Sequence, residues 1–359
     1  MVIRHRLPLL ALGGASLLAG LWGGLVRLGW QLPLPSAAFL SDHGALMVSG
    51  FLGTLVSLER AVGLGRTWTY AAPALAGGGA LALAAGAPTP LPPGLVLLGS
   101  GIYVGASVVL LARARELFSA FLLGGALCWA AGNIEWLRGR PVFTLALWWA
   151  GFLFLTIAGE RLELSRVLPR SRAWRSLLVV CAVLFVGGAL LGPTPTGRAV
   201  AGVGFLGTAA WLFLFDVARR NLRHPGLPRY MACCLLSGYL WLGVSGVLLV
   251  GKSEPWGPGL VYDAVLHGFF LGFVFSMVFG HAPLILPSVL GVPIAYGPVL
   301  YAPLLLLHVS VALRLAADLL PWAELRPWGG LANAAAILLF AASAAGLTVA
   351  RQRSATLRS

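Results

Sequence analysis

The sequence predicts an all-α, polytopic membrane protein of about twelve transmembrane helices. Of its 359 residues, 59% are hydrophobic and only 10% are charged, whereas about a quarter of the residues in a soluble domain are charged. Apolar runs of roughly twenty residues recur along the whole chain, and this is the length that crosses ~30 Å of hydrocarbon. The connections between the runs are short, so we expect a single transmembrane domain over residues 1–359.

Twelve spans are predicted in order along the chain. They cover residues 8–28, 38–58, 68–86, 94–112, 117–137, 142–160, 174–192, 198–218, 230–250, 261–282, 299–320 and 328–350. Turn-forming segments separate several of them, such as "PTPLPPG" (88–94) and "SEPWGPG" (253–259). The first run follows basic residues, as in a signal peptide, but it is too long for one, and we interpret it as a retained span.

The positive charge is distributed unevenly between the two sides of the predicted bundle. The net charge is +14, and 18 of the 25 basic residues fall in alternate connections and the termini. Basic residues collect on the cytoplasmic side of membrane proteins, so we expect cytoplasmic termini, a cytoplasmic 161–175 connection and a location in the bacterial inner membrane. This pattern favours contact with lipid over nucleic-acid binding. The uncharged connection after His281 is the exception, and we expect it to dip into the membrane or pack on the bundle.

Two histidines are predicted at the same depth in different spans. His43 lies about five residues into span 2, or ~8 Å, and His267 about six residues into span 10, or ~9 Å. Two imidazoles at one depth suit axial ligation of one haem, and the chain has no CxxCH segment for covalent haem attachment. Asp263, four residues before His267, lies on the same helix face. Its carboxylate could accept the Nδ1 proton of His267 and leave Nε2 for iron.

A second site is predicted nearer the opposite membrane surface. His281 lies 14 residues after His267, about 21 Å along an α-helix and almost four whole turns, so we expect both on one face but not at one metal. Pro283 is expected to end this helix. His308 lies near the middle of span 11. We predict that His281 or His308, but not both, ligates a second, high-spin haem or a copper ion.

The residues around these histidines allow more than one interpretation. Glycines in spans 2 and 10 would admit either a flat macrocycle or a neighbouring helix, phenylalanines could form an apolar wall, and two methionines one turn from a histidine could bind copper. These residues are Gly44, Gly50, Gly53, Gly268, Gly272, Gly280, Phe269, Phe270, Phe273, Phe275, Met47 and Met277. In the alternative interpretation, each histidine is only a polar anchor near the membrane surface.

Two segments carry a resemblance to a known family. They are "SDHGALMVSGFLGTL" (41–55) and "LHGFFLGFVFSMVFGHAPLILP" (266–287). Twelve spans with histidines in spans 2 and 10 resemble the catalytic subunit of the haem-copper oxidase superfamily. The pattern most resembles its smaller relative, the NnrS family, a haem- and copper-containing membrane protein linked to nitric oxide metabolism.

The resemblance implies an oxidase-like bundle and haem b, with copper as a further cofactor. It also implies nitric oxide or another small diatomic ligand, an unidentified electron donor and oxidoreductase chemistry related to nitric oxide. Spans 6 and 7 lack the histidines that would hold an oxidase copper, and Phe269 stands where an oxidase has a second histidine. Oxygen reduction with proton pumping is therefore not expected.

Two other classes compete with a haem protein. A secondary transporter without haem also has twelve helices, but it would be expected to show charges near the midplane and internal repeats. His308 and Arg314 are the only deep candidates for such charges. A cofactor-free assembly factor is the third class.

Overall fold

The fold is entirely helical throughout the part of the chain that the structure describes. The structure, a computed structural model, describes residues 6–36, 38–165, 172–251, 256–291 and 295–356. The all-α prediction is confirmed within these ranges. Eleven of the described helices are long and apolar enough to cross a membrane. The chain is therefore an integral membrane protein.

The helices group into two compact units, Met1–Glu163 and Leu164–Ser359, called here the first and second units. The first unit contains α1 (Arg6–Arg27), α2 (Ala38–Ser41), α3 (His43–Ala45), the π-helical segment π1 (Leu46–Leu52), α4 (Gly53–Leu64), α5 (Ala71–Ala84), α6 (Leu91–Ala114), α7 (Leu117–Leu137) and α8 (Val142–Leu164). The second contains α9 (Arg172–Leu190), α10 (Pro195–Phe215), α11 (Ala218–Asn221), α12 (Leu227–Gly251), α13 (Leu260–His267), the π-helical segment π2 (Gly268–Phe275), α14 (Ser276–Leu290), α15 (Tyr301–Leu319) and α16 (Arg326–Thr356).

The third predicted span differs most from expectation. The sequence predicts a span over residues 68–86, but α5 has only 14 residues, which corresponds to about 21 Å. Residues 67–70 form a separate 3₁₀ turn, and the chain turns again after Ala84. Eleven of the twelve predicted spans therefore correspond to helices long enough to cross a membrane, and α5 does not, because part of its apolar run forms turns.

Aromatic side chains fill the core of each unit. In the first unit the ring of Trp129 stacks on Phe152 at 4.8 Å, and Tyr103 packs edge-on against both rings. In the second unit Phe205 stacks on Phe269 at 4.9 Å. Aromatic pairs of this kind stabilise a core beyond their buried area, so they help to fix the helices that carry the polar residues described below.

The spans that carry His43 and His267 contain π-helical segments that the sequence did not predict. π1 follows His43 after two residues, and π2 follows His267 directly. A π-helix closes i→i+5 hydrogen bonds, is rare, and occurs often at functional sites. The wide turn also removes the basis for placing His267 and His281 on one face, since that prediction assumed 3.6 residues per turn throughout.

The helix that carries His281 does not end at Pro283. Helix α14 runs through Pro283 and Pro287 to Leu290 and ends at Gly291, which adopts a left-handed conformation with φ +68°. A proline removes one helical hydrogen bond, but prolines are tolerated inside membrane-spanning helices. The prediction that the helix ends at Pro283 was wrong, and His281 lies inside a continuous helix. Part of the uncharged connection that follows, residues 292–294, lies outside the described residues.

Candidate functional site

His43 contacts helix α1 of the first unit. Its Nδ1 lies 2.6 Å from the carbonyl oxygen of Gly20 in α1. A carbonyl oxygen only accepts hydrogen bonds, so Nδ1 carries the proton and a neutral ring has its lone pair on Nε2. The half-buried ring also lies close to Gly24, where an added Cβ would be 3.1 Å from the ring carbon Cε1. Gly20 and Gly24 therefore set both the tautomer and the position of this imidazole.

His267 and His281 repeat this tautomer in the second unit. The Nδ1 of His267 lies 2.8 Å from the carbonyl oxygen of Asp263, and the Nδ1 of His281 lies 2.8 Å from that of Met277. Each carbonyl belongs to the residue four positions earlier, so each ring donates back to its own helix. In its neutral form each imidazole therefore has its lone pair on Nε2, which is the usual arrangement of a metal-ligating histidine.

His308 has the opposite tautomer. The indole Nε1–H of Trp241 donates to its Nδ1 at 2.9 Å, and an indole can only donate. The neutral ring therefore carries its proton on Nε2, and this buried atom has no hydrogen-bond partner among the described residues. In this arrangement neither nitrogen of His308 offers a free lone pair to a metal. Of the two residues predicted for the second site, the geometry favours His281.

Asp263 lies beside His267 as predicted, but its carboxylate has different partners. The main-chain carbonyl of Asp263 accepts from His267, while the nearer carboxylate oxygen lies 3.4 Å from Nδ1. Arg314 holds the carboxylate with two hydrogen bonds, from Nε to Oδ2 at 3.0 Å and from Nη2 to Oδ1 at 3.2 Å. The side chain of Arg326 is also close, with Nη2 3.3 Å from Oδ1.

Asp318 completes a group of four charged residues that we call the charge cluster: Asp263, Arg314, Asp318 and Arg326. The Nε of Arg326 lies 2.7 Å from Oδ1 of Asp318, although the N–H is not aligned for a hydrogen bond. The cluster joins α13, α15 and α16 within the second unit. Of these residues Arg314 was predicted only as a charge near the midplane, and Asp318 and Arg326 were missed, although the four-residue spacing of Arg314 and Asp318 inside an apolar span was a signal.

Side chains of neighbouring helices fill the space beside the glycines in the spans that carry His43 and His267. An added Cβ at Gly53 would lie 2.3 Å from the Trp129 ring, and one at Gly272 would lie 2.4 Å from the Trp241 ring. Gly44, Gly50, Gly268 and Gly280 likewise face side chains of other helices. Of the two predicted uses of these glycines, the close approach of neighbouring helices explains the positions, and a macrocycle is not needed.

The other residues predicted around a cofactor are mostly packing residues. Phe269, Phe273 and Phe275 are buried, and Phe270 is half-buried. The side chain of Met47 packs on Gly20, and that of Met277 packs on Gly238. Within the described ranges, no group of three or more histidine, cysteine, aspartate or glutamate residues could hold a metal ion. The histidines thus present single imidazoles and not a closed protein cage.

The predicted site residues are divided between the units. His43 belongs to the first unit, and Asp263, His267, His281 and His308 belong to the second. Asp263 and His267 are in contact, and His308 contacts Trp241.

Comparison with known proteins identifies the family but not an activity. No curated protein and no solved structure matches the chain. The model of one family, described as a domain of unknown function (DUF8744), matches residues 6–349. The resemblance to NnrS stays a prediction, because neither that family nor the haem-copper oxidases is among the matches. Since the match covers nearly the whole chain, including both π segments and all five predicted site residues, the protein belongs to the DUF8744 family.

Proposed function

We propose that this protein is a membrane haem protein of the NnrS type, in which His43 and His267 ligate haem b. The observation that carries the proposal is the tautomer of the two imidazoles. Each donates Nδ1–H to a main-chain carbonyl and so directs its lone pair to Nε2. Histidines that bind metals through Nε2 are usually held in this way by a carbonyl or carboxylate.

The surroundings of the two rings are compatible with ligation. Both side chains are half-buried, and the side chain of His267 is 20% exposed. The equal depth predicted from the sequence is the reason for assigning both imidazoles to one haem. An oxidase-like arrangement of the helices is part of the same proposal and rests on the sequence resemblance alone.

A second haem or a copper ion would use His281. Its Nδ1–H donates to the carbonyl of Met277, whereas both nitrogens of His308 are unsuited to a metal in the observed tautomer. Bound iron would supply one-electron chemistry and, at an open coordination position, affinity for nitric oxide or another diatomic molecule. The protein residues orient the imidazoles and keep each ring in one tautomer. An electron donor is required for any nitric-oxide-related oxidoreductase activity.

The test is the absorption spectrum of the purified protein. We expect a Soret band that sharpens on reduction with dithionite. His43→Ala and His267→Ala should each abolish the low-spin haem spectrum while the protein still inserts into the membrane. His224→Ala, which changes an exposed histidine between α11 and α12, should retain full haem content. Full haem content in both alanine variants would contradict the assignment.

A second candidate function is secondary transport without haem, and the charge cluster is the observation that favours it. Charged residues inside membrane-spanning helices commonly mark a substrate, ion or proton pathway. Arg314 is only 6% exposed, and it lies in a helix that is long enough to span the membrane. A colourless, correctly folded preparation would support this function and exclude the haem proposal.

A further inference from the structure

Asp318 is the more deeply buried of the two aspartates in the charge cluster. Its side chain is 0% exposed. Neither carboxylate oxygen accepts a hydrogen bond within the described part of the chain. A buried carboxylate without hydrogen bonds is costly in a medium of low polarity. Its one close cation is Arg326, at 2.7 Å.

Arg326 is shared between two carboxylates. While its Nε faces Asp318, its Nη2 lies 3.3 Å from Oδ1 of Asp263. Asp263 has a second cation, because Arg314 binds both of its carboxylate oxygens. Two acids that compete for one guanidinium differ in how well their charges are compensated, and the less compensated acid takes up a proton more readily.

We propose that Asp318 is a proton-binding site within the membrane-spanning part of the second unit. When the proton binds, an O–H bond forms on the Asp318 carboxylate and the ion pair with Arg326 is lost. Arg326 then remains with Asp263, and the reverse step restores the ion pair. The groups that face Asp318 are Asp263 from α13, Arg314 from α15 and Arg326 from α16, and His267 lies beside Asp263.

Arg326 connects the enclosed acid with the surface of the second unit. Arg326 begins α16, and its side chain is 30% exposed, whereas that of Asp318 is fully enclosed. The guanidinium thus extends from the enclosed acid to an accessible surface. Arg314 and Arg326 occupy the carboxylate oxygens that a metal cation would need, whereas a proton needs only one oxygen of Asp318, so the ligand that fits this site is a proton. Proton binding at Asp318 requires no haem and takes place in the protein with or without it.

The experiment is infrared spectroscopy of the full-length protein as the pH is varied. The carbonyl stretch of a protonated carboxylic acid is separate from that of a carboxylate. We expect such a band in the wild type at low pH and its loss as the pH rises. Labelling aspartate with ¹³C should shift the band, and Asp318→Asn should remove it. Asp216→Asn is the matched control: this buried aspartate accepts from the main-chain N–H of Ala218 at 2.7 Å, and the band should persist.

A second variant keeps the test decisive if Asp318→Asn does not fold. Arg326→Gln retains the acid and removes its cation, so the band should persist to higher pH than in the wild type. The proposal is overturned if the wild type lacks the band at every pH, if the band remains in Asp318→Asn, or if Arg326→Gln leaves its pH dependence unchanged. Any of these results would identify the cluster as a permanent ion-pair network that only joins helices.

Discussion

The four histidines within the spans differ in which ring nitrogen carries the proton. A main-chain carbonyl sets one tautomer for His43, His267 and His281, and an indole N–H sets the other for His308. The tautomer therefore distinguishes His43, His267 and His281, which are candidate metal ligands, from His308, which accepts a hydrogen bond from Trp241.

We expect nitrogen NMR to detect this difference directly. In haem-free protein labelled with ¹⁵N-histidine, His43, His267 and His281 should show a protonated Nδ1, and His308 a protonated Nε2. Assignment uses single His→Gln variants. Trp241→Phe, which removes the indole donor, should change only the signals of His308. A protonated Nε2 on His43 or His267 would remove the main support for haem ligation.

Arg314 should contribute strongly to stability because its partner is buried. Replacing Arg314 with methionine leaves Asp263 with one arginine, Arg326, and breaking one side of a buried ion pair costs about 3–5 kcal/mol. Thermal unfolding in detergent measures the loss. Adding Asp263→Asn to Arg314→Met should recover part of it, because the uncompensated charge is then gone.

The control for Arg314 is an exposed ion pair. Arg138 lies 2.6 Å from Glu135, but its side chain is 67% exposed. Arg138→Met should therefore change stability by less than about 1 kcal/mol. Equal losses from the two arginine variants would show that the charge cluster is not effectively buried.

At the scale of elements, each π segment is associated with a glycine that packs against a tryptophan. Gly272 lies within π2 and faces Trp241, and Gly53 directly follows π1 and faces Trp129. In the second unit the same tryptophan donates to His308. Gly272 thus helps to position Trp241, whose indole N–H fixes the tautomer of His308 on another helix.

Gly272→Ala should destabilise the protein by about 1–3 kcal/mol, because the added methyl group overlaps the Trp241 ring in a packed interior. Gly101→Ala is the matched control, since an added Cβ at that helical position meets nothing within 4 Å. There the change should stabilise the helix by about 0.5–1 kcal/mol. Thermal unfolding of both variants checks the expectation, and similar melting temperatures would contradict the close packing at Trp241.

Helix positions were largely predictable from the sequence, whereas local helix geometry was not. Apolar runs locate the spans because a bilayer imposes their length. The π segments, the continuation of α14 past Pro283 and the short α5 depend on contacts with other helices. The tautomer of His43 also could not be predicted from the sequence, because its partner Gly20 lies 23 residues earlier on another helix. The charge cluster likewise required Arg326 to fold back onto α13.

At the scale of the whole molecule, the short helix α5 determines on which sides the two termini lie. Twelve crossings place both termini on one side, whereas eleven place them on opposite sides. With twelve crossings, 18 of the 25 basic residues lie on one side; if α5 does not cross, the more basic side holds only 15. Charge asymmetry follows membrane orientation, so the charges favour a crossing α5 and a cytoplasmic N-terminus.

Cysteine labelling on either side of α5 tests this expectation. In a variant without the native cysteines, Thr89→Cys should react with an impermeant thiol reagent in intact cells. Arg66→Cys should react only after permeabilisation. Arg140→Cys, in the connection between α7 and α8, serves as the positive control for the outer side. Equal reactivity at Arg66→Cys and Thr89→Cys would mean that α5 enters and leaves by the same surface.

The π segments also bear on how relatives of this chain should be compared. An i→i+5 turn amounts to an α-helix with an inserted residue. The loss of one residue from Gly268–Phe275 would restore a regular helix and rotate its two ends relative to each other by about 100°. A homologue shorter by one residue there would keep both His267 and His281 in sequence order, yet their side chains would point in different relative directions. Helical phase, as well as residue identity, therefore decides whether two members of the family share a site.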